Sequence, residues 1–333
     1  MVRDFALLNL IGASRPFLDA LDLIRKFANS SATVLIQGET GTGKELAARA
    51  IHYLSARRDL PFVAINCGGL PENLVESELF GHARGAFTDA REAKAGFIAQ
   101  ARGGTLFLDE VEALPQRAQV ALLRFLQDKE YRPLGGPAVE SVDVRVLAAS
   151  NAELPILVKR GQFRADLLFR LNVLPLHLPA LRERAGDVSL LANAFLTRLN
   201  QQSKESPKSL DPICLSVLES YSWPGNVREL ENLIQRAFII AAGQPIIAPA
   251  MTGEGCGSSE SVPESATDEV FTVAKARAVA RFEKAYIVAL LAKTAGNLSW
   301  AARISGKDRS DIARLLRKHG LERREFIPRT QRS

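Results

Sequence analysis

The sequence predicts an α/β fold: a mostly parallel sheet with helices on both faces, a small all-helical subdomain, and a separate all-α module at the carboxyl end. Three observations predict it. Over residues 1 to about 242, short β-branched or apolar runs (TVLIQG, FVAIN, TLFLD, VRVLAAS) alternate with helical periodicity such as ELAARAIHYLS and QRAQVALLRFLQ. That order is the signature of a parallel sheet flanked by helices. From about Leu181 the strand-like runs stop and helical patterns dominate. Finally, GQPIIAPAMTGEGCGSSESVPESATDE lacks periodicity and reads as a flexible linker. The expected boundaries are 1–180 for the α/β part, 181–242 for the helical subdomain, 243–270 for the linker and 271–333 for the terminal module.

Bulk properties narrow the function classes. With 333 residues the chain has room for two or three domains. No apolar run reaches the ~18 to 20 residues of a membrane span, and the amino-terminal MVRDFALLNLIG lacks the pattern of a signal peptide. Cys67, Cys214 and Cys256 are too few and scattered for a disulfide framework or zinc site, which fits reduced thiols in a cytoplasm. Cys67 is expected to pack as a small apolar residue at a strand end. Charge is unevenly placed: residues 271–333 hold 15 Lys/Arg against 5 Asp/Glu, a net of +10, and the rest of the chain has a net of −4. A basic module on a mildly acidic body points to nucleic-acid binding by the tail. By charge alone a solvated helical face fits equally.

The first strand, TVLIQ, leads into Gly38-Glu39-Thr40-Gly41-Thr42-Gly43-Lys44, the G-x-x-x-x-G-K pattern, and then into a helix. Glycines let backbone N–H groups wrap a phosphate, the helix amino end favours its charge, and Lys44 reaches the β- and γ-phosphates. Glu45 occupies the usual Ser/Thr position. The second strand, FVAIN, ends at Asn66. The third ends in Asp109-Glu110, placing one carboxylate to hold Mg²⁺ and the next to polarise an attacking water. A helix N-cap pair is the structural alternative there. The fourth ends at Asn151.

Between the two halves of this nucleotide site lies ESELFGHARGAFTDAREAKAGF, with Gly85-Ala86-Phe87-Thr88-Asp89-Ala90 at its centre. This hexapeptide resembles the GAFTGA loop of NtrC-type bacterial enhancer-binding proteins, the sigma-54-dependent transcriptional activators. Asp89 stands where that family has Gly. The resemblance covers almost the whole chain and implies an AAA+ ATPase followed by a Fis-type helix-turn-helix. Family activators usually carry Glu at the place of Glu45. Leu10-Ile11-Gly12 is similar to the segment lining the adenine pocket. Asn66 matches the residue restraining the catalytic Glu, and Asn151 the sensor of the γ-phosphate. Arg164 and Arg170 in FRADLLFRLNV match the arginines that a neighbouring subunit projects into the site. A surface ion pair of Arg164 or Arg170 with Asp166 or Glu153 is the alternative. Arg228, in WPGNVRELEN, matches the lid arginine that touches nucleotide. Such a site implies ATP, Mg²⁺ and a ring, usually a hexamer.

Phe87 and Thr88 match the residues that touch sigma-54, and an exposed Phe on a Gly-flanked tip is a usable apolar anchor. A Phe folded into the core is the alternative. Residues 130–142 resemble the neighbouring pore loop. In the tail, LSWAARISG and DRSDIARLLRKHG form a helix-turn-helix pattern. Arg309, Ser310 and Arg314 are candidates for the groove, and Arg303, Lys307, Arg317 and Lys318 for phosphates. Trp300 and Leu315 are expected in the core. The resemblance implies an activator that drives sigma-54 RNA polymerase from closed to open complexes while bound to enhancer DNA. The competing expectation is a DNA-binding regulator whose sigma-54 contact has decayed at Asp89 and whose nucleotide serves oligomerisation. No receiver or GAF domain precedes Leu8 in this sequence, so control is expected in trans, by expression level or a regulatory protein, or the coding sequence is truncated.

Overall fold

The computed structural model describes residues 8–86, 92–203, 206–241, 287, 290, 291, 294, 297–305 and 308–318. They fall into two units, residues 1–250 and 251–333.

In the first unit the elements run α1 (Arg15–Ala28), β1 (Val34–Gln37), α2 (Lys44–Tyr53), β2 (Phe62–Asn66), α3 (Val75–Phe80), β3 (Gly81–His82), β4 (Lys94–Ala95) and α4 (Phe97–Gln100). They continue with β5 (Thr105–Asp109), α5 (Gln116–Asp128), β6 (Glu130–Tyr131), β7 (Glu140–Ser141), β8 (Arg145–Ser150), α6 (Leu154–Lys159), α7 (Ala165–Leu171) and β9 (Leu174–His177). Strands β2, β5, β8, β1 and β9 form, in that order, one all-parallel five-stranded sheet. The four expected strands are all present. The fifth, β9, was hidden in the sequence by Pro175, a residue confined to sheet edges.

The apolar runs of β1, β5 and β8 are buried on both faces, as the middle of a helix-covered parallel sheet requires. Leu35, Leu106, Leu108, Val146 and Ala148 face one core with α3 and α5. Their alternates Val34, Ile36, Phe107, Leu147 and Ala149 face the other, with α1 and α2. The helix α1 shows how sequence selects a face: Phe17, Ala20, Leu21, Ile24 and Ala28 recur at helical spacing and are all buried.

After β9 come a 3-10 turn (Leu181–Glu183) and three helices, α8 (Asp187–Gln202), α9 (Pro212–Ser220) and α10 (Asn226–Ile240). Asp211 caps α9 by accepting the Ile213 N–H at 2.7 Å. Trp223, at φ 51°, is buried between α9 and α10 and donates its indole N–H to Leu218 O at 2.9 Å.

In the second unit, α11 (Leu298–Ser305) and α12 (Arg309–Lys318) share a small core of Ile287, Leu290, Leu291, Ala301, Ile312 and Leu316, with Leu315 packed against it. Trp300 is a correction to the sequence reading: it is 49% exposed. Leu298, Ala301 and Ala302 form the inward stripe of α11, which turns position 300 away from the core. The expected linker 243–270 lies outside the described residues.

Candidate nucleotide-binding site

The four strand ends named by the sequence meet at one edge of the sheet. Gln37 of β1 pairs with Ser150 of β8, and Asn66 of β2 with Asp109 of β5, so the loops after all four strands open on the same side. The carboxyl ends of an open parallel sheet are where such folds bind ligands.

The loop after β1 turns at Gly41 (φ 81°) and Gly43 (φ 98°), conformations that favour glycine. A Cβ on Gly43 would point into open space, whereas one on Gly41 would collide with Gly225 O. Thr42 Oγ1 donates to Glu39 O at 2.8 Å, closing the loop on itself. Lys44 opens α2 and donates from Nζ to Gly38 O at 2.8 Å and Glu39 O at 3.0 Å. Burial pushes the Lys44 ammonium below its ordinary pKa, and the charges of Asp109, Glu112 and Glu110 oppose that. Backbone amides around a helix amino end, with one partly desolvated ammonium, are a donor set for a polyphosphate. Glu45 pairs with Arg49 at 2.7 Å on the outer face of α2.

Opposite stand the carboxylates. Burial pushes Asp109 up; the Glu110 N–H, donating to Asp109 Oδ1 at 3.0 Å, and Lys44 pull it back. Glu110 sits at φ 54°, an uncommon conformation for a residue with a side chain. Its carboxylate lies against Gly68, where any Cβ would collide with Glu110 Oε2. Asn66 Oδ1 accepts the Gly69 N–H at 3.0 Å. Among the described residues no hydrogen bond joins Asn66 to Glu110, though both border Gly68. Cys67 is buried beside this cluster, and burial with three nearby carboxylates pushes its thiol up to about 12.

Asn151 follows β8, with Nδ2 3.4 Å from Thr40 Oγ1. Its backbone N–H donates to Glu112 Oε1 at 3.2 Å. Glu112 was missed by the sequence reading. Its other oxygen is buried without a hydrogen-bond partner among the described residues, and its only sequence signal was being a third carboxylate two residues after Glu110.

The remaining candidates separate into two flanks. Ile11 and Gly12 are fastened to the helical subdomain. Arg184 donates to Ile11 O at 2.7 Å and to Asp187 Oδ2 at 2.9 Å, and its guanidinium lies 3.7 Å over the Phe17 ring. Asp187 also accepts from the Ala13 N–H, the Ser14 N–H and the Ser14 hydroxyl at 2.6, 3.0 and 2.8 Å. A Cβ on Gly12 would stand 2.5 Å from Asp187 Oδ2. Arg228, exposed in the first turn of α10, has its Cβ against the Gly41 turn. Arg164 instead stands just before α7, and Arg170 lies in its last turn. Arg164 forms a two-bond ion pair with Asp166, at 3.0 and 2.7 Å. The Arg170 side chain is exposed and makes no hydrogen bond or ion pair among the described residues.

The inserted segment is described only at its stems. The strands β3 and β4 pair with each other, and β6 with β7. The two stems are joined by Ala83 N–H donating to Leu134 O and Leu134 N–H donating to Gly81 O, both 2.9 Å. A cavity of about 320 Å³ opens between them, lined by Phe80, His82, Lys94, Tyr131 and Glu140 among others. Gly85 (φ 80°) and Ala86 close the described part; Phe87, Thr88, Asp89 and Ala90 lie outside it.

In the second unit Arg303, Arg309 and Ser310 are exposed. Arg314 pairs with Asp311 at 2.8 Å, and Arg317 Nε donates to Ala313 O at 3.4 Å. Lys318 is exposed at the end of α12, and Lys307 lies outside the described residues. Among the described residues no helix is long and apolar enough to cross a membrane.

A parallel sheet with a phosphate-binding loop after β1 and a helical subdomain packed over that loop defines the class: an AAA+ P-loop ATPase fold with its lid. The chain matches the sigma-54 interaction domain over residues 10–177 and the AAA+ ATPase lid domain over 182–265. It is 42% identical over 318 residues to the transcriptional regulatory protein GlrR of Escherichia coli K12, covering 95% of this chain and 69% of that protein. It is also similar to NtrX from Brucella abortus. The ADP complex of NtrX has 33% identity and a TM-score of 0.68, covering 94% of this chain and 69% of that chain. Its ATP complex has 32% identity and a TM-score of 0.65, covering 93% and 69%. The chain belongs to the sigma-54-dependent transcriptional activator family.

Proposed function

We propose that this chain hydrolyses ATP between subunits of a ring and uses the loop bearing Phe87 and Thr88 to remodel sigma-54 RNA polymerase from a closed to an open promoter complex. The observation that carries the reading is the convergence of Lys44, Asp109, Glu110 and Asn151 at one sheet edge.

In this reading the amides of residues 38–43 and Lys44 hold the phosphates. Mg²⁺, held by Asp109, would neutralise charge on the phosphate oxygens. Glu110 takes a proton from water as the water oxygen attacks the γ-phosphorus and the bond to the bridging oxygen breaks, leaving ADP and phosphate. Asn66 restrains Glu110 until the ring is engaged, and Asn151 reads the γ-phosphate. Arg228 reaches the nucleotide from the lid, and Ile11 and Gly12 line the base. Arg164 and Arg170 come from the neighbouring subunit, where positive charge in trans is worth ~10³ to 10⁵ in rate. An exposed Arg170 beside Phe169, which is 80% exposed, supports a surface that meets another subunit. A hexamer is the ring the family implies.

The tail is proposed to bind enhancer DNA, with Arg309, Ser310 and Arg314 toward the groove and Arg303, Lys307, Arg317 and Lys318 toward phosphates. The protein would act in the cytoplasm, under a regulatory partner in trans. The test is ATP turnover together with transcription from a sigma-54 promoter in vitro. Wild type should do both. Glu110→Ala should bind ATP without turning it over, and Phe87→Ala should hydrolyse ATP without opening the promoter. Wild type that hydrolyses ATP but opens the promoter only as Asp89→Gly would overturn the remodelling step in favour of a decayed sigma-54 contact.

A further inference from the structure

Asn226 opens α10 at φ 53° and is completely buried. Asparagine suits that backbone better than other residues with a side chain, and it carries both an acceptor and two donors. All three are used. Its Oδ1 accepts the Leu181 N–H at 2.8 Å, and its Nδ2 donates to Thr40 O at 3.0 Å and Glu39 Oε2 at 3.1 Å. Arg182 closes the other side of Glu39 with two bonds, 2.8 and 2.5 Å. One residue on, the Val227 N–H donates to Gly41 O at 3.1 Å. Three consecutive residues of the phosphate-binding loop, Glu39, Thr40 and Gly41, are therefore each bonded to the helical subdomain.

Glu39 belonged to the candidate phosphate loop by sequence, but its carboxylate is turned toward the lid. The bonds from Arg182 and Asn226 hold it down to about 2. No room is left at the contact. A Cβ at Gly41 would collide with Gly225 O and would stand 3.2 Å from Arg228 Cβ.

We propose that Asn226 is a positioning residue for the ATP site: it fastens the phosphate-binding loop to the lid and so fixes Arg228, two residues on, over that loop. The inference rests on the ATPase reading above and adds to it a residue that does not touch the nucleotide. A lid that swings alone cannot keep Arg228 in register with the phosphates; a lid bonded to the loop carries the arginine with it.

The test uses the full chain and a swap of bonding partners. Asn226→Asp keeps the backbone conformation and the bond from Leu181, but turns two donors into acceptors facing Glu39 and Thr40 O. Its affinity for a fluorescent ATP analogue should fall about tenfold, the size of one charge-assisted hydrogen bond. Amide exchange at Val227 in the nucleotide-free chain should speed up. Glu39→Gln added to Asn226→Asp supplies a new donor toward Asp and should recover a good part of both losses. Residues that matter only for folding would give additive losses instead, so additivity overturns the inference. So does unchanged exchange and affinity in Asn226→Asp while wild type binds the analogue. Wild type that fails to bind the analogue, with exchange at Val227 still raised by Asn226→Asp, overturns the ATPase reading and the positioning role with it, leaving only a structural fastening.

Discussion

Arg184, beside the lid, and Arg170, in the last turn of α7, are treated in opposite ways. Arg184 and Asp187 are 2% and 0% exposed, and their bonds run to Ile11, Ala13 and Ser14. Arg184 is buried enough for desolvation to push its pKa down despite Asp187. Arg170 stands in solvent beside an exposed Phe169. A buried guanidinium paired and bonded within the chain serves as a structural tie. One left open is available to something outside. In the proposed site the lid would close the base and phosphate sides within the chain, and α7 would be the part completed by another copy.

Three substitutions sharpen that contrast. Arg170→Ala should lower ATP turnover about 10³-fold with an unchanged melting temperature, since a charge supplied in trans acts on the transition state. Turnover within a few-fold of wild type would remove Arg170 from the site. Asp187→Ala should do the reverse, costing about 3–5 kcal/mol in urea unfolding by leaving Arg184 buried and unpaired. A loss below about 1 kcal/mol, the size of a surface pair, would mean that Arg184 finds other partners. The smallest effect concerns pH. Glu39 is held from its ordinary 4.5 down to about 2, so its contribution is complete above 4.5 and is lost as pH falls toward 2. Glu39→Gln should shallow the acid limb of a stability–pH curve in that window, and an identical limb would mean the carboxylate is not held in solution.

Much of this was legible in the sequence because the information is local. The four strands read from sequence are short apolar runs, and the P-loop and the Asp109-Glu110 pair are short strings recognisable from their spacing alone. What stayed hidden depends on residues far apart. Asn226 could be read only as one letter of WPGNVRELEN, because its partners Glu39 and Thr40 lie 187 and 186 positions away. Arg184 and Asp187 look like ordinary surface charges until the 11–14 segment folds over them. Glu112 lacked a motif, and its partner Asn151 lies 39 positions on. Trp300 went wrong for a local reason: an aromatic residue was assigned to the core by type, when the stripe through Leu298, Ala301 and Ala302 already excluded it.

Pro175 has a consequence for how copies of this chain can meet. Leu174 and Leu178 donate their N–H groups inward, to Thr33 O at 3.2 Å and Gln37 O at 2.8 Å. By strand alternation the N of Pro175 faces the open side of β9, where it has no hydrogen to offer. The sheet's outer margin is therefore a poor template for a foreign strand. Runaway edge-to-edge stacking is discouraged there by a single imino acid, and association is left to side chains, which can release as well as bind.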